Sequence, residues 1–597
     1  MKNARLAICG WLLLALLLTG CPATEAPPAA ETPPTETSIP PTATLTPAPT
    51  SRPTATPAPT PTARPTTPVN FIPAEVRTAE PVSPVGFDGI PLSNRGAMPW
   101  WNDAVFYEVF VRSFYDSDGD GVGDLQGLIQ KLDYLNDGDP TTDDDLGITG
   151  IWLMPIHQSP SYHGYDVADY YTVDDEYGTN ADFQQLMTEA HARGIRVIID
   201  LVLNHTSTQH PWFQESRDPN SLRRNWYVWS NERPVGEGWH QDLGNGYYYG
   251  YFWDQMPDLN YENPEVTAAM QDVIRFWLEE MGVDGFRLDA IKHLIEENGV
   301  LENTPGTLAW FEDFYVFYKD INPNALTVGE VWSNTEQVVA YIGDKVDLAF
   351  EFDLAEAMLK TAFNARPLTL QVAQEKIIAS YPPGQYATFL ANHDQARTRS
   401  QLANDGQANV AATLQLTFGG VPFIYYGEEI GMLGAKPDEN IRRPLQWTTE
   451  GGFTTGTPWR DYYEDYQERN VAGQSADPDS LLNHYRALIH LRNQHEALRT
   501  GAWQPVESDR MQVYSTLRST ENEILLIVVN LSGKPADDYS LSLEVGPFAP
   551  NAQPALLLGE GELYAPEINV AGGFFPYRPV EIIPPYGSVV LQFLRGG

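Results

Sequence analysis

The chain has 597 residues, several times what a single minimal core needs, so two or three packed domains with appendages are expected. Hydrophobic residues make up 42% and aromatic residues 12%, enough for a packed interior. The net charge of -42 at pH 7 would repel phosphates, which argues against nucleic acid as a partner and leaves neutral substrates and divalent cations compatible.

In chain order, Lys2 and Arg5 flank the start of an apolar run over 6–18, the length of a secretion-signal core and too short to span a bilayer. Residues 1–20 read as a signal peptide. The following Leu18-Thr19-Gly20-Cys21 resembles a bacterial lipobox, in which cleavage before the cysteine leaves it lipidated. Cys21 is thus the expected lipid anchor, and the expected location is extracellular, at the cell surface. The two cysteines, Cys9 and Cys21, both lie in this first segment, so no disulfide supports the folded body. Residues 22–68 hold 15 prolines and 14 threonines and almost nothing that could form a core. They read as a spacer that reaches up to about 150 Å in polyproline II geometry. The linker is taken to run to residue 98.

From Trp100 onward, short β-branched and aromatic runs alternate with helical patterns, which argues for parallel strands joined by crossover helices. Eight such runs occur, at 105–111, 148–155, 196–204, 285–290, 326–332, 346–353, 386–394 and 421–427. Eight strands predict a closed (β/α)8 barrel over 99–205 and 259–500. The long gap between the third and fourth strands, rich in Trp, Tyr, Gly and Asn, predicts an inserted subdomain at 206–258, followed by a crossover helix over 264–281. Beyond a helix at 480–498, short alternating strands such as 511–517 and 523–531 predict a C-terminal antiparallel β-sandwich over 501–597.

After the first strand, Asp116, Asp118, Asp120, the backbone of Val122, and Asp124 place oxygen donors at alternate positions, as an EF-hand loop begins. A hard divalent cation fits them. Gly127 stands where the twelfth-position glutamate of an EF-hand would be, so the loop is of another kind.

In a barrel of this type reactive groups gather at the carboxyl ends of the strands, and the acids of this sequence collect there. Period-2 alternation in Gly285-Phe286-Arg287-Leu288-Asp289 sends Arg287 and Asp289 to the barrel interior together. The guanidinium favours an ionised Asp289, as a nucleophile requires. Glu330 ends the next strand beside Trp332, where an apolar wall would raise its pKa toward that of a general acid. Asn392-His393-Asp394 ends the seventh strand with a third acid and an imidazole whose neutral form can hold hydroxyls. One nucleophilic carboxylate and one proton-donating acid are what displacement at a glycosidic carbon demands.

The segments Asp200 to His205, Gly285 to Asp289, Gly329 to Trp332 and Asn392 to Asp394 resemble, in order and in strand position, the four signature regions of glycoside hydrolase family 13, the α-amylase family. The likeness covers about Trp100 to the C-terminus. It implies Asp289 as nucleophile, Glu330 as general acid/base and Asp394 as the stabiliser that grips hydroxyls of the distorted sugar. It further implies Tyr165, His205, Arg287, Lys292 and His393 as substrate-binding residues, with Asp200 structural. Met256-Pro257-Asp258-Leu259-Asn260 resembles a group between oligo-1,6-glucosidases and neopullulanases that includes lipoprotein α-amylases. Ala290 and the Lys292-His293 pair resemble α-1,4-acting enzymes. The acidic loop is similar to the calcium loop of oligo-1,6-glucosidase relatives, so a structural Ca2+ is implied. Asn204 and the carbonyl of His293 match a second calcium position, for which the insert offers no evident acid.

The implied function is endo-hydrolysis of α-1,4 bonds in starch and maltooligosaccharides. An α-glucosidase or glucanotransferase of the same family, and a non-catalytic glycan-binding surface protein, remain as alternatives. The expected partners are the α-glucan and, through the lipid alone, a membrane. The oligomeric state is open, with a monomer favoured.

Overall fold

The computed structural model describes residues 98–594, so the signal peptide, Cys21 and the Pro/Thr-rich linker lie outside the described residues. Eight parallel strands form one sheet: β1 Phe106–Val109, β2 Gly150–Leu153, β3 Arg196–Leu201, β4 Gly285–Leu288, β5 Leu326–Gly329, β6 Leu348–Ala349, β7 Ala387–Thr388 and β8 Val421–Tyr425. Their order is β6-β5-β4-β3-β2-β1-β8-β7. A parallel bridge between Phe350 and Ala387 and the 3.0 Å bond from the Glu351 amide to the Ala387 carbonyl join the two ends, which closes the barrel. All eight lie within the predicted runs.

Alternation along the strands explains both the core and the site. Inward positions at the amino ends are apolar: Phe106, Ile198, Val328, Leu348 and Val421 pack in one buried cluster floored by Trp100 and Trp101. Two residues further along, the same face carries Glu108, Asp200 and Glu330, all buried. The interior therefore turns from hydrocarbon to charge on approaching the carboxyl rim. Gly285 opens β4 with φ 153°, and a Cβ there would meet the Leu326 carbonyl oxygen at 2.0 Å, so β4 and β5 approach closely only because this residue is glycine.

The crossover helix before β4 runs over Pro264–Arg275. The Asn263 side chain caps it, Pro264 starts it, and Val266, Met270, Val273 and Ile274 form its buried stripe. It continues as a wider π turn over Phe276–Met281 and stops at Gly282, whose φ is 77°. Between β3 and this helix, the inserted segment forms a short helix, Pro211–Ser216, and a three-stranded antiparallel sheet of Trp229–Ser230, Trp239–Asp242 and Gly246–Tyr249. Phe213 stacks on Trp229 at 5.5 Å and holds the two together. A second excursion, the hairpin of His157–Gln158 with Asp169–Val173, follows β2 and carries the loop with Tyr165.

The C-terminal part is an antiparallel β-sandwich of seven strands. Strand Ala502–Ser508 passes between its layers, pairing first with Val513–Ser519 and then with Leu541–Val545. In Glu523–Asn530 every residue is buried, because one face (Ile524, Leu526, Val528) lies in the sandwich core and the other (Leu525, Ile527, Val529) joins the barrel's apolar core.

Candidate active site

At the carboxyl rim of the barrel lies a cleft of about 630 Å³, walled by Asp289, Glu330 and Asp394 and by aromatic side chains from four segments. The three predicted acids therefore meet in one cavity, although 41 and 64 positions separate them in the chain.

Arg287 is the hub, fully buried beneath the floor. Its Nη1 reaches both oxygens of Asp200 at 2.8 and 3.0 Å and Oδ1 of Asp289 at 2.7 Å. Its Nη2 lies 2.6 Å from Oε2 of Glu330. The Trp152 ring sits 5.1 Å away and seals the guanidinium from water. One cation cannot neutralise three carboxylates in a dry interior, so the site favours extra protons. Burial pushes Glu330 up to about 7; Arg287 opposes this, while Asp289 and Asp394 add to it. Asp200 is pushed up to about 6, again chiefly by burial. Trp332 shares the cleft wall with Glu330.

A second charged set holds the third acid. His393 Nδ1 lies 2.5 Å from Oε1 of Glu108, and its Nε2 lies 2.7 Å from the Tyr165 hydroxyl and 3.3 Å from Oδ2 of Asp394. Burial opposes its charge, but Asp394 and Glu108 outweigh burial and push His393 up to about 10. Two carboxylates therefore flank the buried imidazole and favour its charged form, where the sequence suggested a neutral ring holding hydroxyls. Arg442 Nη2 donates to Oδ1 of Asp394 at 2.8 Å, and its Nε donates to the His393 carbonyl at 3.1 Å. Burial would raise Asp394, yet His393 and Arg442 hold it well below the usual carboxylate range. Its side chain is 47% exposed to the cleft.

Tyr165 lines the cleft with its ring stacked 5.5 Å from His393, and its hydroxyl also donates to Asp200 at 3.0 Å. His205 lines the same wall, 5.5 Å from Phe252, and burial lowers its pKa. Lys292 stands behind Trp332: its Nζ donates to the Trp332 carbonyl at 3.2 Å, pairs with Glu302 at 2.6 Å and lies 4.4 Å over the indole. Arg287, His393 and Lys292 thus position neighbouring side chains, whereas Tyr165 and His205 face the cavity. Phe252 and Trp253 of the insert complete the aromatic wall.

Sequence reasoning missed Glu108, Arg442, Phe252 and Trp253. Only Glu108 left a signal, as a lone acid in the apolar run Phe106-Tyr107-Glu108-Val109. Asp258, inside the quoted Met256 to Asn260 motif, lies beside Asn204, and burial raises it strongly with Glu296 adding to the effect.

In the acidic loop, carboxylate oxygens of Asp116, Asp118 and Asp120 lie within 4.8 Å of one another, and among the described residues no basic side chain pairs with them. Three hard donors converging without a counter-charge fit a divalent cation. Asp124, at the end of the loop, also caps helix Leu125–Gln130: its Oδ1 accepts from the Gly127 amide at 2.7 Å, and its Oδ2 accepts from the Ser117 amide at 2.8 Å. Val122 closes the same loop, its amide donating to Asp120 Oδ1 at 2.8 Å.

A rim of acids at different protonation levels, in an aromatic cleft on a (β/α)8 barrel, is the apparatus of a glycoside hydrolase. The profile of the alpha-amylase catalytic domain matches residues 108–501. The chain is 40% identical over 444 residues to alpha-amylase 3 of Dictyoglomus thermophilum, covering 73% of this chain and 86% of that protein. It is 33% identical over 551 residues to an oligo-1,6-glucosidase of Heyndrickxia coagulans, with 74% and 95% covered. It is also 37% identical over 511 residues to a trehalose synthase/amylase of Mycobacterium tuberculosis, with 73% and 82% covered. The crystal structure of an alpha-amylase from H. orenii superposes with a TM-score of 0.72 at 41% identity, covering 82% of this chain and 99% of that one. This chain belongs to the α-amylase family, glycoside hydrolase family 13.

Proposed function

We propose that this glycoside hydrolase is an endo-acting α-amylase that cleaves α-1,4 bonds of starch and maltooligosaccharides with retention. In the first step the Asp289 carboxylate attacks the anomeric carbon while Glu330 gives its proton to the departing oxygen. That oxygen keeps the electron pair of the broken bond, and a glucosyl ester on Asp289 results. In the second step Glu330, now a carboxylate, takes a proton from water. The resulting hydroxide attacks the anomeric carbon and frees Asp289. Asp394, held anionic by His393 and Arg442, accepts hydroxyls of the flattened ring.

The observation that carries this reading is the bridging guanidinium of Arg287, which brings Asp289 and Glu330 to one cleft wall while burial pushes Glu330 up to about 7. Ala290 in the cleft wall and the kinship with proteins named alpha-amylase favour α-1,4 action. Asp116, Asp118, Asp120 and Asp124, with the Val122 carbonyl, would hold a structural Ca2+ that offsets the loop's negative charge and takes no part in the chemistry. A lipid on Cys21 would tether the enzyme to the outer face of a membrane; Cys21→Ala should then release it into the medium.

The test is product release by the purified mature protein and by Asp289→Asn from starch, pullulan, sucrose and maltotriose. The expected result is rapid shortening of starch by the wild type and a loss on the order of 10⁴-fold in the variant. Equal, negligible release by both would end the enzyme reading. Products longer than maltotriose would move the assignment to a glucanotransferase.

A further inference from the structure

Beside the catalytic cleft lies a second groove of similar size, about 670 Å³, and the two share Phe352 and Gln395. Its far wall is the outer face and end of helix Phe352–Asn364. We infer that this groove is a continuation of the substrate path that holds further glucosyl units of the same linear α-glucan chain whose bond lies at Asp289 and Glu330. The inference rests on the α-glucan reading above and extends it to chain length.

Three features fit that occupant. First, the groove is continuous with the cleft, and Phe352 is fixed at the junction by an edge contact with Phe389 at 5.0 Å. A chain leaving the cleft over Phe352 and Gln395 enters it directly. Second, Phe363 is 53% exposed at the groove wall, with Asn364 and Gln395 nearby. Among the described residues no protein group takes the side-chain amides of Asn364 and Gln395. An aromatic face with unengaged amides suits a pyranose, which has apolar C–H faces and an equator of hydroxyls. Third, the charges of the groove are paired within the protein. Lys360 meets Glu356 at 2.6 Å, and Asp353 accepts from Thr335 at 3.1 Å and pairs with Lys376 at 3.4 Å. No unmatched charge remains to select an ionic ligand, so a neutral polymer is favoured.

The experiment compares kcat/KM on maltotriose and on maltoheptaose for the wild type and for Phe363→Ala with Asn364→Ala. The catalytic cleft accepts the short substrate by itself, and only the long one reaches the groove. The expected result is unchanged turnover of maltotriose, within twofold, and a five- to tenfold loss on maltoheptaose, about the worth of one aromatic contact. Equal loss on both substrates, or no loss on either, would overturn the groove while leaving the hydrolase reading intact. A wild type that hydrolyses neither substrate would overturn both. Sedimentation of wild type and variant provides a control: a dimer lost on substitution would identify the groove as a contact between copies and refute the sugar assignment.

Discussion

Replacing Glu330 by glutamine keeps the shape of the side chain and removes its titrating proton. In the wild type, burial raises this carboxyl from 4.5 to about 7, a preference for the neutral form of about 3 kcal/mol. The sign follows from the role: the acid must be protonated, so its form is complete below about pH 5, half lost near pH 7 and lost tenfold per unit above. Wild-type kcat/KM on maltoheptaose should therefore fall roughly fiftyfold between pH 7 and pH 9. Glu330→Gln should lose on the order of 10² to 10⁴ at pH 6 and show no alkaline inflection near 7. An aryl maltoside with a good leaving group needs little protonation, so its bond-breaking step should be spared most of this loss. Initial rates from pH 5 to 10 on both substrates measure all of this. An unchanged alkaline inflection in the variant would show that another group titrates there and that Glu330 is not the acid.

Three further outcomes follow from particular contacts. His393 is raised from 6.5 to about 10, so its pairing contributes stability that is complete below about pH 6.5 and is lost as pH rises through about 10. Glu108→Gln should lower Tm by ~5 °C at pH 7 and flatten its decline between pH 7 and 10; a variant as steep as the wild type would contradict the pairing. A chelator should lower the wild-type Tm, and Asp118→Asn should abolish most of that shift. Asp124→Ala should cost about 1 kcal/mol even with chelator present, because a helix cap is removed; indifference of the wild type to chelator would count against the ion. Gly285→Ala should lower soluble yield or cost more than about 3 kcal/mol, since its Cβ would sit 2.0 Å from a strand carbonyl, and a normal yield and Tm would show that β4 and β5 can part.

The chain by itself determined the number of barrel strands and their place in the sequence, since each lies in a short run rich in β-branched or aromatic residues, and alternation alone predicted that Arg287 and Asp289 share a face. It also marked the three acids, each at the end of such a run. Strand lengths were less legible. The runs at 346–353 and 386–394 contribute only Leu348–Ala349 and Ala387–Thr388 as strands; Phe350 adds a single bridge to Ala387, and helix Phe352–Asn364 begins within the first run. What tertiary structure decided was ionisation and pairing. Glu108 and His393 stand 285 positions apart, and Arg442 reaches Asp394 across 48. Nothing local in the chain links these partners. Periodicity is a property of neighbours along the backbone and survives in one dimension. The charge on a buried group depends on which other charges share its low-dielectric surroundings, and the closed barrel sets that.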